Sequence, residues 1–371
     1  MASSRSLLRE LRGPFVPPSA NFTQAVPSHV PALPLAVQLR SQHLMPSTQT
    51  LAPLACDSPV KNVATRDAYG SALLDLGAKR EDIIVLDADL SGSTKTKAFA
   101  KAYPTRFFNQ GVAEANMMGT AAGLAAMGYT VFASSFAMFA AGKPWEQIRQ
   151  SICVPELSVK ICATHAGLTV GEDGKSHQML EDITLMRVLP FMRVIVPADA
   201  VEAAAAVRTA AETDGPFYIR LSRASTPVIF SDDYQFKIGK GAILREGSDI
   251  CIAACGVCVA PALQAAEQLS ELGIQARVIN LATIDPIDAD LILDSAEHCG
   301  AILTVEEHQI RGGLGDAVAQ AVVHGKPVPM AMLGMNNSFG QSGTAEQLLA
   351  HYGLDAPAIV ARSQELLQRK A

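Results

Sequence analysis

The feature that most constrains this chain is a gap in its charges: 28 consecutive residues between Glu114 and Lys143 carry none. A membrane-spanning helix needs only ~20 apolar residues. The run is rich in Ala, Gly, Ser and Thr, however, and Gly128-Tyr-Thr breaks it. It divides into a buried helix over 115–127 and a strand over 130–133. A helix and strand without polar faces must both be covered, as in a parallel sheet flanked by helices. No membrane partner is expected.

The same alternation runs onward from Val63. Residues 65–76 read as a helix and 83–87 as a buried strand ending in acids. Residues 107–109, 159–163, 192–196 and 217–221 read as further strands. A second unit opens near Gly239, with strands over 249–254, 276–280, 300–305 and 328–333 and a helix over 260–272. Residues 225–240 form the linker. The expected fold class is α/β, with two doubly wound domains over 59–230 and 240–371 and mostly parallel sheets. In such sheets ligands gather at the carboxyl ends of the strands, where the polar clusters of this chain fall.

Residues 1–58 differ. They hold seven prolines before Ser47 and two acids, Glu10 and Asp57. This composition predicts a disordered extension. Arg5, Arg9 and Arg12 among leucines are compatible with an organelle-targeting peptide, and equally with a plain tail or an overlong start. The remainder is expected to be cytoplasmic: seven cysteines, an odd number, lie mostly in apolar runs. Cys255-Gly-Val-Cys258 has redox spacing but follows a strand-like run and has no second pair, so it reads as a strand-to-helix turn with two packed thiols. Aromatics at 5% and a net charge of −6 argue against nucleic acid.

The polar clusters are ordered. Asn109-Gln-Gly-Val-Ala-Glu-Ala-Asn116 ends a strand, turns at Gly111 and opens a helix with Glu114. By spacing alone Glu114 caps that helix. Ser134-Ser-Phe-Ala-Met-Phe139 places two aromatics three residues apart, and the segment from His165 to Gln178 gathers two histidines, Asp173 and several glycines. Glycines there let backbone approach a ligand closely.

Together with Ala64-Thr-Arg66, Asp87-Ala-Asp-Leu-Ser-Gly-Ser93 and Leu221-Ser-Arg223, these segments resemble the pyrimidine-binding domain of transketolases. Glu306-Glu-His308, Gly312-Gly-Leu-Gly315 and Phe339-Gly-Gln-Ser-Gly343 resemble the family's C-terminal domain, so the resemblance covers roughly residues 60–371. It implies a thiamine-diphosphate enzyme transferring a two-carbon ketol unit between phosphorylated sugars, as in the pentose phosphate pathway. A carboxylic acid on the aminopyrimidine N1′ promotes the tautomer that removes the thiazolium proton. Such an acid works when shielding from water favours its protonated form. The match gives this role to Glu114, with His177 as a second catalytic residue. Phe136 and Phe139 would pack on the pyrimidine and Asp89 would shape the cofactor pocket. Arg66, Ser93, His165 and Arg223 would hold the sugar phosphate, and Asp173 and His177 its hydroxyls. Gly142 stands where the family usually has an aromatic, which leaves Trp145 to supply that wall.

The Gly-Asp-Gly motif with which thiamine enzymes hold Mg²⁺ and the diphosphate is missing from the chain. No metal ligands are expected here. The resemblance therefore implies a transketolase N-terminal subunit as partner, supplying the Mg²⁺ ligands, within an α₂β₂ heterotetramer whose chains also homodimerise. Two rivals share the plan: the β subunit of a 2-oxoacid dehydrogenase, and a regulatory subunit that kept the fold without the chemistry. Deoxyxylulose-phosphate synthase is disfavoured, because that family usually keeps three domains in one chain.

Overall fold

A computed structural model describes residues 51–52, 54–55 and 61–370. The extension expected over 1–58 lies outside the described residues except at its end. There Ala52 and Ala55 donate backbone hydrogen bonds to Ile243 and Ile229, and Leu54 bridges to Phe230.

The first half holds β1 (Asn62–Ala64), β2 (Ile83–Asp87), β3 (Phe107–Asn109), β4 (Thr130–Phe136), β5 (Val159–Thr164), β6 (Arg193–Ile195), β7 (Phe217–Arg220) and β8 (Ser225–Pro227). The second half holds β9 (Ala242–Arg245), β10 (Ile250–Ala254), β11 (Ala276–Asn280), β12 (Thr283–Asp285), β13 (Ile302–Gln309) and β14 (Met330–Met335). A seven-stranded sheet runs β12-β6-β7-β5-β4-β2-β3, and a five-stranded sheet runs β14-β13-β10-β11-β9. Both are parallel except at one edge, where β12 and β9 are antiparallel. β1 and β8 form a separate antiparallel ribbon.

Alternation along the strands puts helices on both faces. In β2, Ile84 and Leu86 face Met117, Met118 and Ala121 of helix Glu114–Ala126, while Ile83 and Val85 face the opposite core with Tyr69 and Leu73 of helix Thr65–Lys79. In β10, Ile250 and Ile252 pack toward helix Val259–Glu271, and Cys251 and Ala253 toward helix Ala289–Cys299. Cys255 and Cys258 fall at the turn between β10 and helix Val259–Glu271, both buried, and burial pushes their thiols up. Each large apolar side chain so buried contributes about 1.5–3 kcal/mol. The structure is therefore α/β with two doubly wound, mostly parallel sheets.

Two strands outrun their sequence-based bounds because polar residues find partners. β4 continues past Ala133 through Ser134 and Ser135 to Phe136, pairing with Cys162, Ala163 and Thr164 of β5. The Ser134 hydroxyl is satisfied by Tyr69 at 2.6 Å. β13 continues past Val305 and buries Glu306, Glu307 and His308. The Glu306 carboxylate accepts from the amides of Leu314 and Gly315, at 2.7 and 2.8 Å, at the start of helix Leu314–His324. Arg220, at the end of β7, donates to Asp182 at 2.9 Å and to the Glu307 carbonyl at 3.0 Å. One buried ion-pair network thus joins the two sheets.

Glu202 joins them a second time. From helix Ala200–Glu212 it accepts from the Ala198 amide at 2.8 Å, the Asn280 amide at 2.8 and 2.9 Å, and the Tyr234 hydroxyl at 2.9 Å. Burial outweighs these bonds and pushes its carboxyl up to about 7. The folded chain then holds a proton that the unfolded chain releases near pH 4.5, so this contribution to stability is full at low pH and lost as pH rises through 7. Denaturant titrations of wild type and Glu202→Gln are expected to show the wild-type advantage shrinking by roughly 2–3 kcal/mol between about pH 4.5 and about pH 7.5. A difference that is flat with pH would contradict it.

Candidate active site

The carboxyl edge of the seven-stranded sheet has its switch point between β2 and β4: the chain leaves β2 for β3 on one side and returns to β4 on the other. Gly111, at a φ of +67°, makes the turn out of β3 that brings Glu114 to the start of its helix. Glu114 is 3% exposed, and its carboxylate accepts from Lys143 Nζ at 2.8 Å. The ammonium also stands over the Phe139 ring, 5.9 Å from its centroid.

Phe136 closes β4, and Phe139 lies in the π-helical turn Met138–Gly142 that follows. Wide turns of this kind re-aim side chains. The two rings are nearly parallel, 6.1 Å apart at 17°. His165 stacks on Phe136 at 3.7 Å, and His177 meets the edges of Phe139 and Phe136 at 5.5 and 6.4 Å.

His165 directly follows β5 and has a φ of +55°, a strained position for a residue with a side chain. Its Nε2 lies 2.9 Å from Arg66 Nη1, and its Nδ1 lies 2.9 Å from the Thr164 hydroxyl. Arginine can only donate, so Nε2 accepts and Nδ1 carries the proton. Burial first, then Arg66 and Arg223, lower the imidazole to about 3, so the ring is neutral. Arg66 also donates to the Ser93 carbonyl at 3.2 Å, while its buried Nε has no partner. Arg223 donates to the Val170 carbonyl and lies 3.2 Å from Glu172 and 4.0 Å from Asp173. Burial lowers Arg66, with the neighbouring Asp67 acting against it and Arg223 adding to it.

The loop carrying Asp173 and His177 is braced by the second sheet's domain. Gln178 Nε2 donates to the Gln341 carbonyl at 2.9 Å and the Leu168 carbonyl at 3.2 Å. Gly174, at a φ of +70°, admits Ser342 so closely that a Cβ would lie 2.4 Å from its hydroxyl oxygen. Asp89 is exposed, has a φ of +64° and exchanges hydrogen bonds of 2.9 and 3.0 Å with Asn109.

The structure thus joins Arg66, His165, Phe136, Phe139 and His177 in one chain of contacts, and pairs Arg223 with Asp173 and Glu172. Ser93 enters through its carbonyl, Glu114 through Lys143, and Asp89 stands on Asn109. Trp145, offered by sequence for the wall beside Gly142, donates its indole N–H to the Leu185 carbonyl at 2.8 Å. Lys143 is the neighbour found over Phe139. Sequence reasoning missed Lys143, although it marks the end of the charge-free run. Among the described residues no cluster of His, Cys, Asp and Glu could hold a metal ion, and no helix is long and apolar enough to cross a membrane.

Glu114, Phe136 and Phe139 thus stand at the switch point of a doubly wound α/β protein, where such sheets take their ligands. The chain belongs to the transketolase family: residues 61–228 match its pyrimidine-binding domain and 239–359 its C-terminal domain. It is 50% identical over 308 residues to a putative transketolase C-terminal section from Methanocaldococcus jannaschii, covering 82% of this chain and 96% of that protein. It is 40% identical over 305 residues to the 6-deoxy-6-sulfo-D-fructose transketolase subunit SqwH of Clostridium sp., covering 82% and 95%. Among solved structures, a split gene transketolase described as an inactive beta4 tetramer superposes with a TM-score of 0.79 at 52% identity, covering 83% of this chain and all of that one.

Proposed function

We propose that this chain is the C-terminal subunit of a thiamine-diphosphate-dependent transketolase that moves a two-carbon ketol unit between phosphorylated sugars. A partner subunit holds Mg²⁺ and the diphosphate. The observation that carries this reading is the buried Glu114 carboxylate, which already engages a cationic hydrogen-bond donor that stands over the Phe139 ring. Those are the two contacts an aminopyrimidine needs, so the residues fit the ring.

When bound, thiamine diphosphate supplies the nucleophilic carbon and the electron sink. Glu114 holds a proton at N1′ of the ring, and its burial keeps water from competing for that bond. Phe136 and Phe139 hold the ring's plane. Arg66 and Arg223 bind the sugar's terminal phosphate through charge-assisted bonds, and neutral His165 turns Arg66 toward it. Asp173 and His177 meet hydroxyls near the reacting carbon.

Support for a partner comes from the outer face of the Glu114 helix. Ala115, Gly119 and Gly123 are exposed in one row, four residues apart, and Val112 and Met127 are each 75% exposed at its two ends. A Cβ added at Gly119 or Gly123 meets nothing within 4 Å. A face so flat and bare suits close approach by another helix. Gly123→Trp is expected to abolish assembly with the N-terminal subunit, read by analytical ultracentrifugation, with little change in the melting temperature of the lone chain.

The deciding experiment is reconstitution with a transketolase N-terminal subunit and a screen of ketose-phosphate donors. The complex is expected to transfer ketol units and the chain alone to transfer none. Full activity without a partner would refute the two-subunit site, and acyl transfer to lipoamide would favour an oxoacid dehydrogenase.

A further inference from the structure

Lys143 touches Glu114 and Phe139 yet has no role in the chemistry above. We infer that Lys143 occupies the seat of the aminopyrimidine ring in the cofactor-free chain, and that the cofactor enters by displacing its ammonium from Glu114. This rests on the thiamine reading of the site.

Three observations carry it. Nζ lies 2.8 Å from the Glu114 carboxylate and 5.9 Å from the centre of Phe139. A single ammonium therefore makes both contacts assigned to the ring. The pair is also lopsided: Glu114 is 3% exposed and Lys143 is 56% exposed. A buried carboxylate left without a cation is costly, so the empty chain needs a stand-in. A long, half-solvated lysine can swing into water at little cost when something better arrives. Finally, the path is open. Gly142, where the family usually has an aromatic, has nothing within 4 Å of the place its Cβ would take. The π-helical turn Met138–Gly142 ends directly before Lys143 and aims it back at the helix start.

Entry is then an exchange of hydrogen-bond partners on one carboxylate. Lys143 makes no lasting contact with the bound ring and competes only with its arrival.

The test is calorimetric titration of thiamine diphosphate, with Mg²⁺, into the assembled complex. Lys143→Met keeps the stem without the charge and is expected to bind the cofactor about five- to tenfold tighter than wild type. Lys143→Arg keeps a competing cation and is expected to stay near the wild-type affinity. In the cofactor-free state Lys143→Arg should melt with wild type and Lys143→Met a few degrees below it, because the Glu114 carboxylate then has no cation. A second readout needs no cofactor: in the lone chain, an amine-reactive ester read by mass spectrometry should label Lys143 faster in Glu114→Gln than in wild type. Unchanged or weaker binding by Lys143→Met, or equal labelling rates, overturns the inference. Wild-type complex that binds no thiamine diphosphate overturns the parent reading as well, and is told apart by the labelling result.

Discussion

Glu114→Gln in the assembled complex is expected to slow ketol transfer by about 10²- to 10⁴-fold, the range for losing one positioned proton donor. The glutamine keeps the shape of the side chain and a hydrogen bond to the ring, but it cannot share a proton with N1′. Substrate KM should change little, because the residues proposed for the sugar's phosphate, Arg66 and Arg223, are untouched. Folding should survive. The lost ion pair frees a lysine already 56% exposed, and a neutral amide is cheaper to bury than a carboxylate without its cation. Steady-state turnover with circular dichroism melting checks both halves. Unchanged turnover would mean that the chain keeps the fold as a scaffold without the chemistry.

The second large effect belongs to Arg66. Its Nη1 is spent on His165 and the Ser93 carbonyl, yet its buried Nε is without a partner, and Arg223 repels it from nearby. A dianion resolves both costs. Arg66→Ala is expected to raise KM for a ketose phosphate by about tenfold to a hundredfold, the worth of a charged hydrogen bond. Turnover at saturation should fall much less. The same variant should lose nothing on an unphosphorylated ketose. Equal losses on both substrates would show that Arg66 only supports His165.

The parts of the fold written in hydrophobic period were legible beforehand. β2 is an apolar run whose cover on both faces follows from its composition, β5 and β11 keep an apolar majority around Lys160 and Arg277, and helix Glu114–Ala126 differs from its expected bounds by one residue at each end. What escaped was set by distant partners. Ser134-Ser135 looks like a loop until Tyr69 arrives from a helix 65 residues away. Glu306-Glu-His looks like a polar strand end until Arg220 and the Leu314 helix surround it. The site was legible as an ordered set of motifs, but which residues touch was not. Nothing local tells that Arg66 meets His165 across 99 positions, or that Lys143 turns back over 29 to reach Glu114. Nor does anything local tell that the Trp145 indole N–H finds the Leu185 carbonyl 40 positions on.

The antiparallel strand β12 has a consequence for how this chain can be cut. Thr283–Asp285 belongs by sequence to the second half, yet it hydrogen-bonds along β6 and closes the first sheet's margin. A fragment ending at the linker would carry a raw, sticky border where Arg193–Ile195 now finds its mate. The two halves are thus clasped rather than strung together, and neither travels as a free-standing cassette.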